Sequence, residues 1–207
     1  GELLCIFGRS GSGKTSLLRL CVGLDIPTSG TVRINGIDFN QLTLRDKEKA
    51  RSQIGFVFAQ GALVNNLTIE DNIALPLRYH TNLSEQEVTT VVEEKMSLLG
   101  INAVRKSFPP AIGNDLRKRA GLARAIALNP KLIFYDEPLS GLEARSLNVI
   151  MGLIRQFTGA GDITNIMTTD SLSVVYALNK KLMILDQGKI VAFGQTNDIK
   201  GQLETLT

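Results

Sequence analysis

An octapeptide near the start of the chain constrains the fold more than any other feature. Residues Gly8 to Thr15 read GRSGSGKT and match the pattern GxxxxGK[ST]. The apolar run Leu3 to Phe7 precedes them, and a helical segment from Ser16 to Cys21 follows. A strand that leads into such a loop and then into a helix is the context in which this pattern binds phosphate. The sequence therefore predicts a phosphate-binding loop after the first strand.

The residue types in this loop suit a nucleoside triphosphate. Glycines allow successive backbone N–H groups to point into the loop, and the N-terminus of the next helix adds a positive dipole. Lys14 is expected to neutralise the β- and γ-phosphates, the Thr15 hydroxyl to bind Mg²⁺, and Ser16 to contact the α-phosphate. A glycine-rich turn with a chance lysine is the alternative, which the flanking strand and helix disfavour. The residues predicted to bind nucleotide here are Gly8, Arg9, Ser10, Gly11, Ser12, Gly13, Lys14, Thr15 and Ser16.

A second strand supplies the carboxylates that such a loop requires. The apolar run Leu132 to Tyr135 ends at Asp136, which is predicted to hold Mg²⁺ through water. Glu137 follows directly and is the candidate catalytic residue, a general base that would polarise the attacking water. An acidic pair that only caps a strand before Pro138 is the alternative, and the phosphate-binding loop argues against it.

Further apolar runs indicate the strands of an α/β core. They have Ile, Val and Phe at consecutive positions, as buried parallel strands do. Asn35-Gly36 and Gln187-Gly188 predict hairpin turns at an antiparallel edge. We therefore expect a P-loop NTPase core with a mostly parallel sheet and an antiparallel β edge, beginning upstream of Gly1. The remaining predicted strands are Thr31 to Ile34, Ile54 to Phe58, Ile163 to Met167 and Leu182 to Leu185.

An α-helical insert is predicted to interrupt this core, from about Thr68 to Leu128. Pro76 should kink or end its first helix, Gly100 should end the second, and Phe108-Pro109-Pro110 should form a loop. The pairs with the spacing of a capping box are Thr68 with Asp71 and Ser84 with Glu87.

Length and composition limit the remaining possibilities. A chain of 207 residues with 43% hydrophobic content can bury one core, so we expect a single domain over 1–207. Its core is predicted to comprise 1–66 and 129–207, and its helical subdomain about 67–128. Cys5 and Cys21 lack metal or redox spacing and are expected to be buried thiols. With 23 Lys and Arg against 20 Asp and Glu, charge does not indicate nucleic-acid binding, and no apolar run suggests a membrane span.

The order of these motifs resembles that of ABC transporter ATP-binding subunits, over nearly the whole chain. The resemblance implies an ABC ATPase fold that binds ATP and Mg²⁺. It also implies a transmembrane permease subunit and a second nucleotide-binding subunit, bound head to tail as a homo- or heterodimer. Such a subunit is cytoplasmic and peripheral on the inner face of the cell membrane. The segments similar to the ATPases of bacterial mammalian-cell-entry-type lipid transport systems are IGFVF at 54–58, GAL at 61–63, LPLRYHTNLSE at 75–85 and RKRAGLARAIALNP at 117–130.

Two departures from the family pattern affect Mg²⁺ binding and the dimer. Members of the family usually have glutamine directly after the position of Phe58, where it senses Mg²⁺. Ala59 holds that place here, so a local bulge would be needed to bring Gln60 to the nucleotide and metal. The signature LSGGQ or LSGGM corresponds to Ile112 to Leu116, which reads IGNDL. Its Asp115 is expected to bring a negative charge near the partner's γ-phosphate.

Two further departures follow the second carboxylate strand. The family has aspartate at the position of Glu143, a mild change. Thr169 stands where the family has a switch histidine. The only histidine, His80, lies in the helical insert, where we expect it to be exposed at the surface and unable to take over that role.

These departures leave two functions open. In the first, the chain couples ATP binding and hydrolysis to transport by a membrane complex, of lipid by the resemblance, and hydrolyses weakly or only with a competent homologue. Alternatively, it is a degenerate pseudo-ATPase subunit that uses ATP as a structural or regulatory ligand. The two differ in turnover rather than in fold. Soluble ABC proteins outside transport are disfavoured, because they carry long coiled-coil or tandem insertions that this chain lacks.

Overall fold

Strands and helices alternate along the described part of the chain, which comprises residues 1–34, 36–159 and 163–204 of a computed structural model. The strands in these ranges are β1 (Leu3–Phe7), β2 (Arg33–Ile34), β3 (Ile37–Asp38), β4 (Ile54–Val57), β5 (Leu132–Tyr135), β6 (Thr164–Thr169), β7 (Lys181–Asp186) and β8 (Lys189–Gln195). The α-helices are α1 (Lys14–Cys21), α2 (Leu44–Arg51), α3 (Ile69–His80), α4 (Glu85–Leu98), α5 (Asn114–Ala125), α6 (Ala144–Gly159), α7 (Leu172–Leu178) and α8 (Lys200–Glu204). Of these helices, α2, α6, α7 and α8 were not predicted.

The main sheet has six strands in the order β4-β5-β6-β1-β7-β8. Its neighbours pair in parallel except β7 and β8, which form an antiparallel hairpin at one edge. The α/β class with a mostly parallel sheet and an antiparallel edge is therefore confirmed. β2 and β3 also pair antiparallel, but as a separate two-stranded sheet rather than at the edge of the main one. The Asn35 position of that predicted turn lies outside the described residues.

One strand runs two residues beyond its predicted end. β6 continues to Thr169, because Ile6 and Phe7 of β1 pair with Thr168 and Thr169. Both threonines are buried there, Thr168 completely. These two polar residues are therefore part of the central sheet.

The sheet separates two hydrophobic clusters. Alternate residues of a strand point to opposite faces, so Cys5 and Phe7 of β1 join one cluster and Ile6 the other. The larger cluster includes buried residues of α3, α4, α5 and α6, and the smaller one includes Leu18 and Val22 beside α1. Apolar side chains on both faces explain why the parallel strands read as continuous apolar runs.

The three helices α3, α4 and α5 follow β4 and precede β5. Thr68 caps α3 and Ser84 forms a full capping box on α4, as predicted. The helix α3 does not end at Pro76 but continues to His80, because Leu77 is buried in the core and its packing offsets the lost backbone hydrogen bond. The predicted loop after Phe108 contains a short 3₁₀ turn, Pro109–Ala111.

Two expectations from composition concern the cysteines and the membrane. Cys5 is buried and Cys21 half-buried, and both are free thiols. Burial raises the pKa of Cys5 to about 12, far from the range of a reactive thiol. None of the described helices is long and apolar enough to cross a membrane.

The sheet order also determines where the functional residues meet. β5, β6 and β1 are neighbours and run in the same direction. Their carboxyl ends therefore lie at one edge of the sheet, where the loop after β1, Asp136 after β5 and the end of β6 come together.

Candidate functional site

The loop between β1 and α1 packs closely against its surroundings. A Cβ added at Gly8 would lie 2.3 Å from the carbonyl oxygen of Leu185, so a side chain does not fit there. Gly13 has a φ of +101° and caps α1 without a side-chain hydrogen bond. The first helical bond runs from the Leu17 N–H to the Gly13 carbonyl, so the N–H groups before Leu17 are free of helical acceptors. The loop thus ends in the positive pole of a helix, which favours an anion.

The Lys14 side chain lies folded beneath this loop. It is only 4% exposed, and its Nζ donates to the carbonyl oxygens of Gly8 at 2.7 Å and Arg9 at 3.0 Å. The same ammonium contacts Oε1 of Glu137 at 3.1 Å. A phosphate entering the loop would compete with Glu137 for Lys14.

The Asp136 carboxylate is fixed from two sides by hydroxyl groups. Thr15 Oγ1 donates to it, at 3.0 Å from each carboxylate oxygen. Thr168 Oγ1, at the end of β6, donates to Oδ1 at 3.1 Å. Asp136 is 6% exposed, so these contacts lie in a largely water-free environment where hydrogen bonds to a charge are strong.

Glu137 occupies an unusual backbone conformation at the same edge. Its φ is +46°, in the left-handed region of backbone conformation that residues other than glycine rarely adopt. Its N–H donates to Thr168 Oγ1 at 2.9 Å, and its side chain is 29% exposed. The Thr168 hydroxyl therefore connects the backbone of Glu137 to the carboxylate of Asp136.

A cavity of about 310 Å³ opens over the loop. Gly8 and Arg9 take part through their carbonyl groups, which hold Lys14. Ser12 Oγ is buried without a hydrogen-bond partner among the described residues. The residues that line the cavity are Ser10, Gly11, Gly13, Lys14, Thr15, Ser16, Ala59, Asp136 and Glu137.

The chemistry of this cavity fits a polyphosphate with Mg²⁺. A buried ammonium and a helix N-terminus are groups that bind phosphate oxygens. The Thr15 hydroxyl and the Asp136 carboxylate are hard oxygen ligands of the kind Mg²⁺ prefers. Among the residues described, no group of three or more His, Cys, Asp or Glu forms a metal cluster. Mg²⁺ typically keeps waters and phosphate oxygens beside one or two protein ligands, so a pair suffices.

Gln60 does not line the cavity over the loop. Ala59 does, whereas Gln60 lines a neighbouring cavity of about 640 Å³ together with Asn65 and Arg117. The register of β4 against β5 runs regularly over Ile54–Val57 and leads straight into a tight turn. The bulge that would bring Gln60 forward does not form in β4, and its contact with nucleotide and Mg²⁺ stays a prediction.

The IGNDL segment lies at the start of α5. Gly113 is the N-cap of this helix and provides no capping side chain. Asp115 is paired with Arg119 on the next turn, with Nε 3.1 Å from the carboxylate. Asn114 Nδ2 donates to the carbonyl oxygen of Gly141 at 3.4 Å. The negative charge expected near a partner's phosphate is thus partly neutralised within this chain.

The position of the switch histidine lies beside a third cavity, of about 320 Å³. Thr169 is 6% exposed, and its Oγ1 accepts a hydrogen bond from the Ser171 N–H at 3.1 Å. Glu137 and Asp170 also line this cavity. His80 is exposed at the end of α3, as predicted.

Two residues of this edge were not identified from the sequence as functional. Thr168 bridges Asp136 and Glu137, and Lys118 of α5 is buried against the turn that follows Glu137. Their side chains have no local motif, and only the sheet order and the packing of α5 bring them to this edge.

Comparison with known proteins identifies the family of this chain. The sequence profile described as ABC transporter matches residues 1–140. The chain is 33% identical over 199 residues to the intermembrane phospholipid transport system ATP-binding protein MlaF of Haemophilus influenzae, covering 96% of this chain and 75% of that protein. It is 34% identical to the probable ribonucleotide transport ATP-binding protein mkl of Mycobacterium tuberculosis, covering 94% of this chain and 54% of that protein. It is also 34% identical to the methionine import ATP-binding protein MetN of Cupriavidus metallidurans, covering 96% of this chain and 58% of that protein.

A solved structure has the same fold. The dimeric post-hydrolysis state of the ATP-binding cassette MJ0796, bound to ADP and Pi, superposes with a TM-score of 0.87 at 29% identity. The match covers 94% of this chain and 85% of that one. This chain spans only about half of the length of the mkl and MetN relatives.

Proposed function

Because this chain belongs to the ABC transporter family, we propose that it is an ATP-binding subunit that couples ATP binding to transport by a membrane complex. The observation that carries the proposal is the contact between Thr15 and Asp136 beside Lys14. It joins a hydroxyl, a carboxylate and an ammonium at one cavity, as Mg-ATP requires. Lys14 holds the β- and γ-phosphates, and the helix end at Gly13 adds backbone N–H donors.

ATP hydrolysis in this subunit would depend on Glu137. As general base it would take a proton from a water that attacks the γ-phosphorus, while the bond to the β–γ bridging oxygen breaks. Mg²⁺ held by Thr15 and Asp136, with Gln60 as the predicted third contact, would neutralise charge on the leaving phosphate. The Glu137 carboxylate is paired with the Lys14 ammonium at 3.1 Å. Glu137 would have to leave this ion pair before it could accept a proton from the water.

The second candidate is a pseudo-ATPase subunit that uses ATP as a structural or regulatory ligand. Two observations favour it: Thr169 replaces the switch histidine, and the IGNDL segment provides Asp115 instead of glycine. In a heterodimer, the signature segment of the partner would bind the ATP held by this chain. The IGNDL segment of this chain would bind the ATP held by the partner only weakly. Because Glu137 is retained, we favour slow or partner-dependent ATP hydrolysis over a complete loss of hydrolysis.

The proposed arrangement is one nucleotide-binding domain over 1–207, with a core of 1–66 and 129–207 and a helical subdomain of about 67–128. A groove of about 380 Å³ between β4 of the core and α3 of the helical subdomain offers a docking site for a helix of the transmembrane permease subunit. Its apolar wall includes Phe56, Phe58 and Leu75, and Tyr79 at its rim is 78% exposed. The subunit would lie in the cytoplasm, peripheral on the membrane, beside a second nucleotide-binding subunit.

Lipid is the proposed cargo of the complex. The support is the resemblance of four segments to mammalian-cell-entry-type ATPases, together with the relative whose name refers to phospholipid transport. Two relatives that are 34% identical, against 33% for that one, have names that refer to methionine import and ribonucleotide transport. Identification of the co-purifying permease would decide between these cargoes.

Two measurements on the purified chain test the proposal. Calorimetric titration should detect ATP binding that weakens when EDTA removes Mg²⁺, and phosphate release should be slow. Absence of ATP binding would overturn the proposed function. Phosphate release by the isolated chain at a rate usual for ABC ATPases would exclude the pseudo-ATPase alternative.

A further inference from the structure

Lys118 is a buried cation whose hydrogen bonds, among the described residues, all go to residues 137–140. It lies on α5, is 3% exposed, and its Nζ donates to the carbonyl oxygens of Ser140 at 2.6 Å and Pro138 at 3.1 Å. Further contacts join it to Ser140 Oγ at 3.2 Å and to the Glu137 carbonyl at 3.4 Å. Within the described residues no carboxylate lies within ion-pair distance of this ammonium.

Burial of an ammonium without a carboxylate partner destabilises the folded state, so a purely structural role does not explain this lysine well. Desolvation of a charge opposes folding unless strong hydrogen-bond partners replace water. Burial lowers the pKa of Lys118, an effect that the charge of Glu137 only partly opposes. Three carbonyl oxygens and the Ser140 hydroxyl accept its hydrogen bonds, and all four groups belong to residues 137–140.

This turn determines where Glu137 points. The backbone enters it with a φ of +46° at Glu137, and the Ser140 N–H and Oγ both donate to the Glu137 carbonyl, at 3.2 and 2.9 Å. Three carbonyl groups that converge in this way repel one another, and a cation between them removes that repulsion. The Glu137 carboxylate itself points the other way, to Lys14 at 3.1 Å.

We infer that Lys118 is a positioning residue for Glu137, acting on the backbone of residues 137–140 rather than on the nucleotide. Lys118 belongs to the same helix as Asn114, whose amide contacts Gly141 of the same segment. A displacement of α5 would therefore move the turn and with it the Glu137 carboxylate. The inference deepens the proposed function and rests on it, because it assumes that Glu137 acts on ATP.

The experiment compares three variants of the full chain. Lys118→Met removes all donors at nearly constant volume, and Lys118→Gln retains neutral donors. Lys95→Met is the matched control, since Lys95 is also buried, at 6% exposed, but contacts Asn129 and Glu94 instead. For each variant, kcat, the Kd for Mg-ATP and amide hydrogen exchange over 137–142 are measured.

A misplaced general base should slow turnover without weakening nucleotide binding. We expect Lys118→Met to lower kcat by about tenfold or more, since displacement by about 1 Å can cost up to about a hundredfold. Its Kd for Mg-ATP should stay within about twofold, and exchange over 137–142 should accelerate. The kcat and the exchange rate of Lys118→Gln should lie between those of Lys118→Met and the unaltered protein. Lys95→Met should leave both quantities unchanged.

Each result decides for or against the inference. Unchanged kcat and unchanged exchange over 137–142 in Lys118→Met would overturn it, as would equal effects in Lys95→Met. If Lys118→Met does not fold, Lys118→Gln carries the same test. If the unaltered chain binds Mg-ATP without detectable turnover, faster exchange over 137–142 in the ATP-bound variant supports the inference and unchanged exchange overturns it. Failure of the unaltered chain to bind ATP instead overturns the proposed function.

Discussion

The N-termini of α1 and α5 begin alike but present different charges. Both helices follow a glycine, Gly13 or Gly113, that provides no capping side chain. The first turn of α1 has no acidic residue, whereas that of α5 contains Asp115. A carboxylate in the first turn partly neutralises the positive pole of a helix. The start of α1 therefore remains available to an external anion, and the start of α5 has an anion of its own.

The surrounding contacts extend this difference. At α1, Lys14 and Thr15 face acidic groups that a nucleotide with Mg²⁺ would engage. At α5, Asp115 is paired with Arg119 on its own helix. An intact phosphate-binding loop and an intact surface for a partner's nucleotide are thus separate properties of this chain, carried by different residues. Variants at each end should separate them.

The largest expected effect comes from Glu137→Gln, which removes the candidate base beside α1. Phosphate release should fall by about 10²- to 10⁴-fold. ATP affinity should be kept or increased, because Lys14 loses its 3.1 Å ion pair and a negative charge near the phosphates disappears. Steady-state kinetics and calorimetry measure both quantities. Glu48→Gln, exposed on α2, is the control, and equal turnover in the two variants would exclude Glu137 as the base.

Lys14→Ala should weaken ATP binding by about a hundredfold or more. The phosphates would lose two or more charge-assisted hydrogen bonds from the ammonium, each contributing about 1.5–3 kcal/mol. Calorimetric Kd values with Mg²⁺ check this, with Lys49→Ala on the exposed face of α2 as control. Equal Kd values for both variants would mean that the phosphates bind elsewhere.

Thr168→Val should destabilise the end of β6 by about 1–3 kcal/mol, since it leaves the Glu137 N–H unpaired in a buried site. Asp136 also loses one of its two hydroxyl donors. Urea unfolding measures the change in the free energy of unfolding. Thr168→Ser should restore most of it, and Thr164→Val, exposed on the same strand, should stay within about 0.5 kcal/mol. Equal losses at Thr168 and Thr164 would contradict the role of the Thr168 hydroxyl.

Much of the fold could be predicted because buried parallel strands leave a clear pattern. Leu3–Phe7 and Leu132–Tyr135 were predicted with their observed bounds, since both are apolar on both faces. Helix α2 reads LRDKEKAR and buries no residue, so it has no apolar periodicity to detect. The end of β6 was missed because Thr168 and Thr169 are polar, and only pairing with β1 places them in the sheet.

In the candidate site, too, local motifs were visible in the sequence and contacts between distant segments were not. The predicted phosphate-binding loop, Gly8 to Thr15, is one local motif, and the apolar strand that ends at Asp136 is another. The contacts of Lys118 with Ser140 and of Thr168 with Asp136 depend on helix packing and strand order, which no local pattern encodes. The ion pair of Asp115 with Arg119 has the i,i+4 spacing of a helix surface and could have been found from the sequence.

Restoring the family residues should raise turnover by about tenfold or more, because a positioned histidine contributes substantially to proton handling. The variant combines Thr169→His with Gly113→Ser, Asn114→Gly and Asp115→Gly. The cavity of about 320 Å³ beside Thr169 offers space for the imidazole. The control carries Thr169→Val with the same three substitutions in the IGNDL segment, and it has a side chain at position 169 that cannot transfer a proton. Equal phosphate release with His and Val would show that another defect limits hydrolysis.

The smallest effect is expected from Asp115→Asn, because Arg119 already neutralises much of this charge. ATP-dependent dimer formation, measured by sedimentation in the Glu137→Gln background, should strengthen by no more than about fivefold, since charges at helix ends contribute about 0.3–1 kcal/mol. Arg119→Ala should weaken the dimer by exposing the carboxylate, and adding Asp115→Asn should reverse that loss. If Asp115→Asn alone strengthens the dimer a hundredfold, the ion pair with Arg119 does not mask the aspartate, and its charge acts directly on the partner's phosphate.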